Sequence, residues 1–391
     1  MAEHEQVVDP IPFPAAFAEG GDAAAQSQAV ILLLLGAYLA HPEAESTEFA
    51  LDNELLSEND RSRLGVPPQL EELLNSRGTR FSMEYVRRQI PSSIQFLADY
   101  EIVSEQRTGD IQPLLLELAE RLVREPSALA AASLCEVALL HPDELVRVAA
   151  ASSYAEISLR EEWERLIRVL AHGVRSDDPL VRDIAATALA RIAPGHPLLA
   201  DLVLPSSPIS GGEASHTALI VHGTFARHAD WWQPGFPGNF HQYLQTKVDP
   251  SLYSAADRFD WSGFYSDHAR DLAALELVGW VKQRRLDGLD LFTHSHGGSV
   301  AMQANRVGGL RIGRLVLLSC PVHWKKYSPD FSRLSKAVSI RVHMDLVILA
   351  DRGGQRFPAG AIPEVVLPIW FKHSISHEPP TWVKYKLPTK I

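Results

Sequence analysis

The sequence predicts two architectures in series: an all-α first half, then an α/β second half on a mostly parallel sheet covered by helices. Three observations predict this. Apolar residues recur at helical spacing through residues 1–203, with breaks at Pro67, Pro68, Pro91, Pro126, Pro142, Pro179 and Pro197. From residue 216 onward, β-branched runs alternate with helical segments, the pattern of a sheet sandwiched by helices. Between them, Leu204 to Ser215 (LPSSPISGGEAS) gathers Pro, Ser and Gly as a linker does. A length of 391 residues suits two domains, and 46% hydrophobic with 22% charged residues excludes a disordered chain.

In the first half, the apolar run Ala29 to Ala40 is about half of the roughly 20 residues that cross a bilayer, so a buried helix is expected and no transmembrane segment. The preceding MAEHEQVVDPIPFP has neither a basic start nor an apolar core, so the expected location is cytoplasmic. Cys135 and Cys320 are too few for a disulfide framework and agree with a reducing compartment.

An internal repeat lies within this half. Leu145 to Ile157 (LVRVAAASSYAEI) aligns without gaps on Leu180 to Ile192 (LVRDIAATALARI), each copy preceded by a Pro and an acidic residue. Small residues allow close helix approach, and stacked pairs bury a seam that one pair cannot. The pattern resembles HEAT-type helical repeats, most clearly over residues 110–201. Such arrays usually bind a protein partner along a concave face, and packing against the second half is the equal alternative.

Charge divides unevenly. Residues 1–215 carry 16 basic and 34 acidic side chains (−18), whereas 216–391 carry 21 and 14 (+7). The two halves are therefore expected to attract one another, with a separate solvated surface on each half as the equal alternative, and the acidic half argues against nucleic acid as its partner.

In the second half, strands are expected at His216 to His222, Arg258 to Trp261, Leu289 to Thr293, Ile312 to Cys320, Ser339 to Met344 and Pro363 to Trp370, with helices at His268 to Arg285 and Gly298 to Val307. Chemistry in such a sheet belongs at the carboxyl ends of its strands. There stands THSHGG, a T-x-S-x-G pattern between a strand and a helix. A serine on this sharp turn needs small residues two positions either side. Gly297 meets that need; Thr293 brings a branched β-carbon. The helix behind aims its N-terminal dipole at developing negative charge, which makes Ser295 the candidate nucleophile.

Upstream, His222-Gly223-Thr224-Phe225 ends the first strong strand. An oxyanion hole needs two backbone N–H groups on one oxygen, for which Thr224 or Phe225 supplies one and His296 the other. Serine is too weak a nucleophile at its own pKa, so a base and an orienting acid must follow. Asp345 ends a predicted strand and His373 follows the last one. Asp351, in the loop DRGG, competes for the acid, and His377 competes for the base.

These features together resemble the α/β-hydrolase superfamily, particularly its serine esterases and lipases, over residues 216–391. The resemblance implies an α/β-hydrolase fold and hydrolysis of carboxylic esters, lipid esters included, through an acyl-enzyme. It also implies a Ser295, Asp345, His373 triad and no cofactor; amidase, thioesterase and acyltransferase chemistry use the same constellation. The stretch His323 to Ala337 is too brief for the helical lid that many relatives insert. Trp231, Trp232 and Trp261 are candidates to line an acyl pocket with Phe225, although core packing accounts for them equally. Of the eleven His in this half, His294 and His296 flank the serine. No Cys or carboxylate joins them at a metal-ligand spacing, so no metal is expected. The rival expectation from another class is a partner-binding helical scaffold carrying a docking or inactive hydrolase-like module.

Overall fold

The computed structural model describes residues 11, 13–40, 80–90, 108–203, 218–286 and 288–391. The expected linker therefore lies outside the described residues. The chain forms two compact units, Met1–His196 with Leu349–Arg352, and Pro197–Ile348 with Gly353–Ile391.

The first unit is helical: α1 Asp22–Ala40, α2 Met83–Arg87, α3 Thr108–Arg124, α4 Ala128–Ala138, α5 Glu144–Tyr154, α6 Trp163–Gly173 and α7 Pro179–Ile192. Helix α1 corrects the sequence reading. It begins well before the apolar run, because the Ala-rich stretch from Asp22 is helical too, and its 19 residues are long and apolar enough to cross a membrane. Yet 78% of its most apolar window is buried within the structure. It crosses α5 closely, where Ser153 Oγ donates to the Leu32 carbonyl at 2.6 Å and a Cβ on Gly36 would collide with that hydroxyl.

The internal repeat recurs in the hydrogen bonds. Asp143 caps α5 by accepting from the Leu145 N–H at 2.9 Å, and Asp178 caps α7 by accepting from Leu180 at 2.8 Å. Arg147 donates back to the His141 carbonyl at 2.7 Å, and Arg182 to that of Ser176 at 3.1 Å. Each arginine thus ties down the turn that leads into its own helix.

The second unit opens with α8 Pro197–Asp201 and holds a five-stranded, wholly parallel sheet in the order β1-β2-β3-β4-β5. Its strands are β1 Ala218–Val221, β2 Leu289–His294, β3 Ile312–Leu318, β4 Leu334–Arg341 and β5 Glu364–Val366. Both faces are covered, as a parallel sheet requires. On one, Leu219, Val221, Leu291 and Leu317 pack with α10 Asp267–Gln283 and α11 Gly297–Arg306; on the other, Ile220, Phe292, Val316 and Ile340 pack with α9 Phe240–Lys247 and α13 Pro379–Lys384.

Three strand expectations need correction. Arg258 to Trp261 is not a strand; the bridge beside Ala218 is made by Leu252 instead. Strand β4 starts earlier than expected and stops at Arg341, because Leu334 pairs with Ile312 while the exposed Ser335 and Lys336 hide the apolar alternation. Strand β5 is only three residues long, and Pro368 just beyond it has no N–H for a ladder. The stretch His323 to Ala337 carries a turn over 324–326 and a 3₁₀ turn, Phe331–Arg333, ahead of β4, and no α-helix.

Candidate active site

Ser295 sits between β2 and α11 with φ of +52°, a left-handed backbone that is uncommon and costly for a side chain. Its N–H donates to the Leu318 carbonyl at the end of β3 (2.9 Å), and its carbonyl accepts from Gly298 (3.0 Å). A Cβ on Gly297 would lie 2.6 Å from the His222 carbonyl and collide with that of Val221; one on Gly223 would lie 2.8 Å from Ser295 Cβ. The turn therefore presses against the end of β1, and only glycine fits at either position. Thr293 is accommodated where a smaller residue was expected, because its buried hydroxyl donates to the Val316 carbonyl at 3.1 Å.

Asp345 and His373 are brought together. His373 Nδ1 donates to Asp345 Oδ2 at 2.7 Å, while Asp345 Oδ1 accepts from the N–H groups of Val347 (3.0 Å) and Ile348 (3.2 Å), capping α12 Leu346–Asp351. The carboxylate, 1% exposed, is thus fully bonded and fixes the imidazole tautomer with its lone pair on Nε2. Asp351, the rival acid, is the last residue of α12. Sequence reasoning missed Gln355, which accepts from the Asp345 N–H and donates to the Asp345 carbonyl, both at 2.9 Å. Nothing in its spacing signals that role.

The 3₁₀ turn His373–His377 lies over the ends of β2 and β3: Ser319 Oγ donates to Ser376 Oγ at 2.9 Å, and the His294 ring stands 4.7 Å from that of His373. His294 Nε2 also donates to the His373 carbonyl, at 3.4 Å. The Ser295 hydroxyl itself makes no hydrogen bond among the described residues, so the imidazole–carboxylate link is closed and the serine–imidazole link is not. Such bonds often tighten only once substrate binds. His377, the rival base, stacks on Trp231 at 4.1 Å; burial, with the neighbouring His373, pushes its pKa down to about 3. Burial likewise holds His294 well below the ordinary histidine value, with His377 and His373 adding to it.

The loop after β1 is braced by the stretch expected to be a strand. Trp261 Nε1 donates to the His222 carbonyl at 2.8 Å, and the Phe225 N–H donates to the Gly263 carbonyl at 2.9 Å. The Phe225 donor is therefore already used, whereas the Thr224 N–H meets no acceptor among the described residues. His296 stands at the N-cap of α11, one residue past the serine. Trp232 and Trp261 are buried, Trp232 through a bond from Nε1 to the Ala226 carbonyl (2.7 Å), so they form the wall beneath the loop. Trp231 alone of the three is partly exposed, against His294 and His377. Burial tends to raise the Asp260 carboxyl, but the bond from His222 and the charge of Arg227 hold it below the usual range.

No family model matches the chain, and no curated protein does. A crystal structure of an uncharacterized protein from Bacillus cereus ATCC 10987 is similar over 71% of this chain and 99% of its own, at 12% identity and a TM-score of 0.27. That likeness is too slight to bear on fold or function.

Proposed function

We propose that the second unit is a serine hydrolase of the α/β-hydrolase fold that cleaves carboxylic esters, lipid esters among them, through an acyl-enzyme. The observation that carries the reading is the left-handed Ser295 between β2 and α11, followed in chain order by Asp345 beyond β4 and His373 beyond β5, bonded to one another. In this reading Ser295 Oγ attacks the ester carbonyl while His373 Nε2 takes its proton, and Asp345 stabilises the imidazolium. The N–H groups of Thr224 and His296 hold the oxyanion. The alkoxide leaves with the proton from His373, and water then repeats the sequence on the acyl-enzyme. The chemistry calls for no cofactor.

Replacing Ser295 with Ala is expected to abolish hydrolysis of short p-nitrophenyl esters and labelling by a fluorophosphonate, with thermal unfolding little changed. Retained turnover would remove the serine from its role. A second reading is favoured by the repeated caps Asp143 and Asp178: the first unit is a HEAT-like array that binds a protein partner, and the hydrolase-like unit is its docking module. An unlabelled wild-type chain would favour that reading.

A further inference from the structure

His222 lies at the end of β1, wholly buried, with both ring nitrogens against oxygen. Nδ1 is 2.8 Å from the Gly223 carbonyl oxygen, and Nε2 is 3.2 Å from Asp260 Oδ1. A carbonyl and a carboxylate oxygen only accept, so each contact is a hydrogen bond when its nitrogen donates, and a ring that donates twice is an imidazolium. Its surroundings suit a cation: the rings of Trp232 and Trp261 lie 4.6 Å and 5.6 Å away, the latter stacked at 16°. Asp260 is shared with Arg227, whose Nε donates to Oδ2 at 3.0 Å, so one carboxylate bridges the ring and a guanidinium. The other charged or titratable neighbours are His294 on β2, Glu276 facing Arg227 and Asp260, and Arg258 near Asp260.

The Gly223 carbonyl and the Thr224 N–H belong to one peptide group, and in a planar trans peptide they point in opposite directions. A carbonyl fixed on His222, and touched at 3.4 Å by the Ala226 N–H, therefore fixes the direction of the Thr224 N–H. The same peptide begins at Gly223, directly beside Ser295. A charge-assisted bond on the oxygen polarises the whole peptide and makes its N–H a stronger donor.

We infer that His222, held doubly protonated by Asp260, is a positioning residue that orients and polarises the Gly223–Thr224 peptide as an oxyanion donor. The inference rests on the hydrolase reading for the use of that donor, but not for the state of the ring.

The test uses the full-length chain labelled with ¹⁵N-histidine. At the pH of the esterase assay, His222 is expected to show two protonated ring nitrogens, and Asp260→Asn to reduce them to one. In parallel, His222→Gln, and His222→Phe to keep an aromatic between the tryptophans, are expected to lower kcat for p-nitrophenyl acetate about ten- to hundredfold. That loss is below the 10²–10³ of deleting a donor outright, with KM within about threefold. Should both variants fail to fold, Asp260→Asn is the substitute, since that carboxylate is 29% exposed, and the same fall in kcat is expected. A singly protonated ring, or full kcat in a folded His222→Gln or Asp260→Asn variant of an active enzyme, overturns the inference alone. A wild-type chain without turnover overturns the hydrolase reading and the catalytic half of this one, while the ring measurement still decides the protonation half.

Discussion

Asp345→Asn separates the chemistry of the site from its architecture. Asparagine can keep its Oδ1 on the Val347 and Ile348 N–H groups, so the cap of α12 survives. Its amide nitrogen then faces His373 Nδ1, which must turn acceptor and move the ring proton to Nε2. No lone pair remains there to take the serine proton, and the imidazolium loses its buried counter-charge 2.7 Å away. The stability cost is that of one charge-assisted bond, about 1.5–3 kcal/mol. The catalytic cost is far larger: a base held in the wrong tautomer lowers turnover about 10⁴-fold, about 5.4 kcal/mol of barrier. Measuring kcat/KM on p-nitrophenyl butyrate beside thermal unfolding gives both quantities from one preparation. Activity within tenfold of wild type would refute the assigned roles of Asp345 and His373 together.

Three further outcomes are expected. Gly297→Ala drives a methyl into the carbonyls of Val221 and His222, which are backbone and cannot swing away; it should cost about 3 kcal/mol and lower Tm by roughly 6–12 °C, and an unchanged Tm would contradict the close packing. Glu156→Gln removes the carboxylate that faces the buried Arg352 and the half-buried Arg191, costing about 3–5 kcal/mol at neutral pH. Burial works to raise the Glu156 carboxyl, but the two arginines hold it below its ordinary value, so its contribution is present above about pH 4.3 and is lost as pH falls through the lowered folded pKa; unfolding curves of variant and wild type should therefore converge in acid. His377→Gln should keep kcat within about tenfold of wild type, whereas His373→Gln should lose it, a contrast read in one esterase assay.

The sequence reveals most where one residue type is mandatory. Gly297 is legible because nothing larger clears the end of β1, and the order of Ser295, Asp345 and His373 is legible because each follows a strand with its own apolar signal. What escapes is support built from polar groups at arbitrary spacing. Gln355 holds both backbone groups of Asp345, and Asp260 holds His222, yet neither belongs to a periodic pattern. Phe259 and Trp261 are buried and alternate like strand residues, which is why Arg258 to Trp261 reads as one, but the Trp261 indole is spent on the His222 carbonyl. The start of α1 is missed for the opposite reason: alanines and polar residues extend a helix without lengthening its apolar run.

The sheet's spatial order is also its chain order, and this bears on how the molecule is made. Each new strand finds its partner in the one synthesised just before it, so the edge of the sheet advances as the chain emerges from the ribosome. The residues of β1 and β3 that clasp the bend bearing Ser295 all precede, in the order of synthesis, the imidazole that would activate it. Any ester-cleaving capacity of this unit thus depends on residues translated after the whole of its sheet.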